Sequence, residues 1–173
     1  MPSPSLSGFE HRVIVGMAES VVSNNPDVTL ATYSLGSCLG ISIYDPVARV
    51  GGLLHIMLPE SGIAPDKARA QPAMFLDTGL PKMFRSAYDL RLDKHRAMIC
   101  VAGGAQIMDD KGFFNIGQRN YAALSTLLQQ HGLRITAEHV GGMVNRTMYL
   151  KLATGEVRLK ISGEMAETTL WKP

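Results

Sequence analysis

Two side chains in this sequence, Cys38 and His55, are suited to covalent chemistry together. A thiolate attacks carbonyl carbon and an imidazole moves protons near neutral pH, so the pair is the minimum equipment for thiol nucleophilic catalysis. Gly36 and Ser37 precede the cysteine, and such residues let the backbone bend sharply and approach a ligand. Backbone N–H groups at that bend can stabilise a thiolate and later an oxyanion. Thr32 adds a hydroxyl upstream, and a catalytic base needs a third group to hold its tautomer. Each residue also has a plainer reading. Free cysteines are more often buried and inert than reactive. His55 lies among Leu53, Leu54, Ile56 and Met57, the setting of a core histidine bonded to backbone. Threonine is simply common in strands.

Whether these side chains meet depends on the elements that carry them. Stretches 39–45 (LGISIYD) and 49–58 (RVGGLLHIML) flank a turn at Asp45–Pro46, so 39–58 reads as a β-hairpin. Cys38 starts the outgoing strand and His55 lies near the end of the returning one, which antiparallel pairing brings side by side. The alternating run 27–34 predicts a strand that delivers Thr32 just ahead of the 35–38 bend. A short strand at 12–16 comes first, and Asn24, Asn25, Pro26 and Asp27 make a turn.

Residues 59–72 hold three prolines and read as a long polar loop, a type that is often functional. The spacing then predicts a helix over 77–90, with Asp77 as N-cap, Pro81 near the first turn, and Met83, Phe84, Ala87 and Leu90 on its apolar face. A buried strand at 96–101 ends at Gly103–Gly104. Asn115 caps a helix over 116–131, with Tyr121, Leu124, Leu127 and Leu128 on one face and Gly132 beyond its end. Stretch 133–140 reads as a strand, and 148–153 with 157–162 as a hairpin around Thr154–Gly155. Two main helices and about seven strands, mostly antiparallel, make the class α+β. One domain spans 11–163, between a Pro/Ser-rich tail at 1–10 and a C-terminal tail at 164–173 that includes Trp171.

With 173 residues, 46% of them apolar, the chain can bury a real core. A net charge of +2 without a dense basic block speaks against nucleic acid as the main partner. Only two cysteines, far apart, argue against a disulfide framework and suit a reducing cytosol. No apolar run approaches a membrane span, and the N-terminus lacks a secretory pattern, so the expected compartment is the cytoplasm. No long heptad pattern is present, and a monomer is the expected state. Cys100 within AMICVAGG reads as a core residue. Gly103–Gly104 lacks the phosphate-loop spacing and reads as a tight turn. His95, His131 and His139 show no ligand spacing, so neither a metal nor a cofactor is expected. Asp109–Asp110–Lys111 reads as a solvated loop.

The motifs occur in a recognisable order: T-x-x-LGSC-x-G, YDP, GG-x-x-H-x-MLP, AGGAQIM, NIGQRN, EHVGGMVNR and TGEV. This series resembles the CheD family of chemoreceptor glutamine deamidases over roughly 13–162. Tyr33–Ser34, where the family is more glycine-like, and the 79–81 segment are local departures. The resemblance implies a layered α/β/β sandwich similar to the catalytic domain of the cytotoxic necrotizing factor toxins. It implies hydrolysis of selected receptor glutamine side chains to glutamate, without a cofactor. Within it, Cys38 is the nucleophile, His55 the acid and base, and Thr32 the residue that orients the imidazole. Backbone N–H groups near Gly36, Ser37 and Cys38 are the implied oxyanion donors. The implied partners are the cytoplasmic helices of chemoreceptors and a CheC-type phosphatase. Receptor methylester hydrolysis by the same pair, or an adaptor that binds without catalysis, are the alternatives.

Overall fold

Alternation along the hairpin sets the layering of the whole molecule. In the computed structural model, which describes residues 11–106 and 114–173, β4 (Leu39–Asp45) pairs antiparallel with β5 (Val50–Ile56). Leu39, Ile41 and Ile43, with Val50, Leu54 and Ile56, point to one side and join a core with the helices. Tyr44 and Leu53 point to the other side and join a second core. Side chains on a strand alternate between faces, so both faces of the hairpin are buried at once.

The hairpin sits inside a five-stranded sheet ordered β2 (Ser20–Ser23), β5, β4, β6 (Met98–Gly103), β7 (Ala137–Val140). A second sheet is ordered β1 (His11–Ile14), β3 (Val28–Leu35), β8 (Arg146–Lys151), β9 (Val157–Ile161), β10 (Thr168–Trp171). Leu30, Leu35, Met148, Leu150 and Leu159 of this second sheet meet Leu53, Cys100 and Ala102 of the first. On the first sheet's outer face lie α2 (Leu76–Asp89), through Leu80, Met83 and Ala87, and α3 (Ile116–Gln130), through Leu124 and Leu128. The layers therefore run helix, sheet, sheet, with the β1–β3 and β6–β7 pairs parallel and the other described strand pairs antiparallel, as the α+β, α/β/β expectation requires.

The differences from the sequence reading are local and have physical causes. Residues 59–72 are not an open loop: they hold the short helix α1 (Pro65–Ala70), flanked by single 3₁₀ turns at Ser61–Ile63 and Pro72–Met74. Pro65 and Pro72 open their turns, where a missing N–H costs nothing. Asp77 does not cap α2. The helix starts a residue earlier, after Phe75, and the Asp77 carboxylate accepts bonds from Ser61 N–H and Oγ, both at 2.8 Å. Pro81 consequently lies inside the helix. Asn115 does occupy the N-cap of α3, in a left-handed conformation (φ 45°) and without a side-chain bond to the helix amides. Gly132 ends α3 as expected: its N–H reaches Gln129 C=O while Leu133 N–H reaches Leu128 C=O. That closure shortens the strand read at 133–140 to Ala137–Val140. β2 and β10 were not legible as strands, and β10 draws the segment 164–173 onto β9. The tail 1–10 and Asp109–Asp110–Lys111 lie outside the described residues.

Candidate functional site

Strand parity decides where His55 points. It pairs directly with Gly40, and it shares its parity along β5 with Leu53, which faces the second sheet. Across that interface Thr32 lies on β3 with the parity of Leu30. A slip of one residue in β5 would turn the imidazole into the helix-facing core, and one in β3 would turn the Thr32 hydroxyl away from it. His55 is 1% exposed and Thr32 0%. Thr32 Oγ1 lies 2.7 Å from His55 Nδ1 and 2.7 Å from the Val15 carbonyl oxygen.

Those two contacts settle the tautomer. A carbonyl oxygen only accepts, so the single hydroxyl proton of Thr32 goes to Val15. The hydroxyl must then accept from Nδ1–H of His55. The lone pair is left on Nε2, which is buried and has no partner among the described residues. Burial holds the imidazole pKa down at about 4, so the ring is neutral and basic at Nε2 around pH 7.

Cys38 stands immediately before β4 and is half-buried, whereas His55 is buried. Burial raises its thiol pKa, and its own backbone N–H, lying against the sulfur, works the other way. Both shifts caused by burial favour the neutral pair over an ion pair. The site can therefore rest as thiol and imidazole and ionise when a substrate arrives.

The loop before Cys38 is held through its carbonyls. Gly36 C=O accepts from Ala105 N–H at 2.8 Å and Cys38 C=O from Gly104 N–H at 2.9 Å. Between them, Ser37 C=O accepts from Asn120 Nδ2 at 3.0 Å. A bulge at Tyr33–Ser34 breaks the β3–β8 register, and Ser34 takes a left-handed φ of 59°. A glycine-like residue is the natural occupant of that position. Gly103 has φ 115°, and a Cβ there would stand 2.1 Å from the Cys38 carbonyl oxygen.

The predicted residues Thr32, Gly36, Ser37, Cys38 and His55 thus gather at one end of the hairpin. Sequence reasoning missed Gly103, Gly104, Ala105, Asn120 and Arg146. Arg146 is buried and donates to His139 Nδ1, Gly103 C=O and Gly141 C=O. The runs AGGAQIM, NIGQRN and EHVGGMVNR contain all five residues, but nothing local indicates that they converge on the Cys38 loop. Cys100 is a core thiol, its pKa pushed up to about 11 by burial. Among the described residues no cluster of His, Cys, Asp or Glu could hold a metal ion.

The family model CheD, chemotactic sensory transduction, matches residues 57–161. The curated protein named probable chemoreceptor glutamine deamidase CheD 1 from Syntrophus aciditrophicus is 46% identical over 151 residues, covering 87% of this chain and 94% of its own. The probable chemoreceptor glutamine deamidase CheD of Solibacter usitatus is 44% identical over 156 residues, 90% of this chain and 92% of its own. A solved Neisseria meningitidis protein of the DUF152 family model aligns with 76% of this chain and 62% of its own, at 10% identity and a TM-score of 0.42.

Proposed function

This chain belongs to the CheD family, and from that premise we propose that it is a protein-glutamine deamidase acting on chemoreceptors. The observation that carries the reading is the hydrogen-bonded series Val15 C=O, Thr32 Oγ1, His55 Nδ1, which leaves a basic Nε2 with no partner among the described residues, on the strand paired with the one Cys38 precedes.

In the first half-reaction the Cys38 thiol gives its proton to His55 Nε2 as sulfur bonds to the glutamine carboxamide carbon. The carbonyl electron pair moves onto oxygen, where the Cys38 N–H can receive it. The imidazolium then protonates the leaving nitrogen, the C–N bond breaks, and ammonia departs from a thioester. In the second half His55 takes a proton from water. The resulting hydroxide breaks the thioester, and the proton returns to sulfur. Glutamate and the starting thiol remain. Thr32 holds the imidazole in one tautomer throughout, and its neutral hydroxyl bond suits a base that must start uncharged.

Among the described residues no helix is long and apolar enough to cross a membrane. We place the work of the enzyme at the cytoplasmic helices of receptors, as a monomer, with a CheC-type phosphatase as a partner. The family resemblance supports the receptor and phosphatase assignments, and the lack of a long heptad pattern supports the monomer. The test is mass spectrometry of a receptor cytoplasmic fragment after incubation with the purified protein. Conversion of particular glutamines to glutamate, absent with Cys38→Ala, establishes the reaction and the nucleophile. Stable binding without conversion replaces the enzyme with an adaptor.

A further inference from the structure

Asn120 is 0% exposed on α3, and its side-chain nitrogen donates to two backbone carbonyls at once, Ser37 at 3.0 Å and Met57 at 3.1 Å. Both neighbours are acceptors only, so the amide nitrogen and not Oδ1 must face them. Oδ1 is buried and has no partner among the described residues. An apolar side chain of the same shape would avoid burying that oxygen. What an apolar residue could not supply is the pair of donated bonds.

The two carbonyls flank the reactive pair. Ser37 precedes Cys38, and Met57 lies just beyond His55. The β4–β5 ladder ends at Leu39 and Ile56. Past it β5 turns away, and Met57 and Leu58 both donate their N–H to Met74 C=O. Asn120 bridges the two chains where their own pairing stops.

The bond to Ser37 also has a direction. All described peptide bonds are trans, and in a trans peptide the C=O of one residue and the N–H of the next point opposite ways. Drawing Ser37 C=O onto α3 therefore turns Cys38 N–H away from α3, and that N–H lies against the Cys38 sulfur. The planes on either side are set by backbone, through Ala105 N–H on Gly36 C=O and Gly104 N–H on Cys38 C=O. Only the plane between Ser37 and Cys38 depends on a side chain.

We infer that Asn120 is a positioning residue for the reaction: by pinning the Ser37–Cys38 peptide it aims the Cys38 N–H at the oxygen that becomes negative when the glutamine carboxamide is attacked. The inference rests on Cys38 acting as the nucleophile. Because charge on that oxygen develops only in the transition state, misaiming the donor lowers kcat and leaves KM in place.

Asn120→Asp removes both N–H donors, leaving at most the single O–H of a carboxyl that burial keeps protonated, and Asn120→Ser offers one shorter O–H in their place. Two rates are measured for each: deamidation of the receptor fragment, and alkylation of Cys38 by iodoacetamide, a displacement that forms no oxyanion. Both variants are expected to melt cooperatively. Their kcat should fall roughly 10–100-fold, short of the ~10²–10³ that follows outright loss of an oxyanion donor. KM should stay within about threefold of the native protein, a spread under 1 kcal/mol, and alkylation, which loses only the pull of that N–H on the sulfur, should fall clearly less than kcat. If Asn120→Asp does not fold, Asn120→Ser decides alone. The inference is overturned if a folded variant keeps kcat within about twofold, or if alkylation falls in step with deamidation, since either leaves no role specific to the donor. A native protein that fails to deamidate overturns the proposed function instead.

Discussion

The two ends of one hairpin, β4–β5, are built on opposite principles. At the turn end the Asp45 side chain is fully buried and well supplied with donors. It accepts from the N–H groups of Val47, Ala48 and Asp93 and from the Arg96 guanidinium. Burial alone would raise its pKa, but Arg96 and those three N–H groups outweigh it and hold the carboxyl at about 2. At the open end the buried His55 Nε2 and Asn120 Oδ1 lack partners among the described residues. There burial is what acts on His55, and the imidazole falls to about 4. A polar group that has satisfied its bonds holds structure and does no chemistry. A lone pair kept unsatisfied in a dry place costs stability and is ready to take a proton.

Breaking the open end should change rate above all. His55→Ala removes the proposed base and should lower kcat on the order of 10²–10⁴-fold, a loss that persists at temperatures where the variant, weakened by the cavity left at a buried position, is still folded; near-normal turnover by the purified variant would end the role assigned to His55. Gly103→Ala should come next. A methyl group 2.1 Å from the Cys38 carbonyl oxygen, at φ 115°, must displace the Cys38 loop. Backbone strain of about 1–3 kcal/mol should appear in denaturant unfolding, and activity should fall even at temperatures where the variant is folded.

Thr32→Val keeps the shape but leaves His55 Nδ1–H without its acceptor and frees the tautomer. A buried donor so stranded costs about 1–3 kcal/mol, so kcat should drop roughly 5–150-fold, and Thr32→Ser should recover most of it. If Val and Ser variants behave alike, the hydroxyl is not the orienting group.

The contrast sharpens with pH. His55 has a lowered pKa, so the unfolded chain takes up its proton first. The stability contributed by keeping it neutral is complete above its ordinary value of 6.5 and is lost as pH falls toward 4. Asp45 acts lower: its contribution is complete above 3.8 and is lost as pH falls toward 2. Urea midpoints measured from pH 7 to 2 should lose the upper fall in His55→Ala and the lower in Asp45→Asn. The acid limb of the pH–rate profile should likewise lie near 4 instead of near 6.5. The smallest effect on rate belongs to the turn end. Asp45→Asn should cost about 2 kcal/mol of stability and leave kcat of the folded protein unchanged; a fall in kcat would show that the two ends are coupled.

The hairpin, Thr32 and the two long helices were legible because their signals are local. Period-2 alternation, a turn at Asp45–Pro46 and a glycine after a helix are read within a few residues. Even so, the sequence pattern puts Tyr121, Leu124, Leu127 and Leu128 on the apolar face of α3, whereas the buried residues are Gly117, Asn120, Leu124 and Leu128. Asn120 is polar, and nothing in the helix itself shows that its partners are the carbonyls of Ser37 and Met57. Gly103–Gly104 was legible as a turn but not as the clasp on the Cys38 carbonyl. β10 escaped notice because a short edge strand has little pattern until β9 is beside it.

What this sequence determined by itself was the reagent list and its order: a thiol at a glycine–serine bend, an imidazole on a returning strand and a hydroxyl upstream. Side-chain type and local periodicity suffice for that. Only the tertiary structure decided which lone pair of His55 is free, where the Cys38 N–H points and which groups stay dry. Each of those depends on a partner from a distant part of the chain, Val15 for Thr32 and Asn120 for Ser37, and on burial that no single segment can provide.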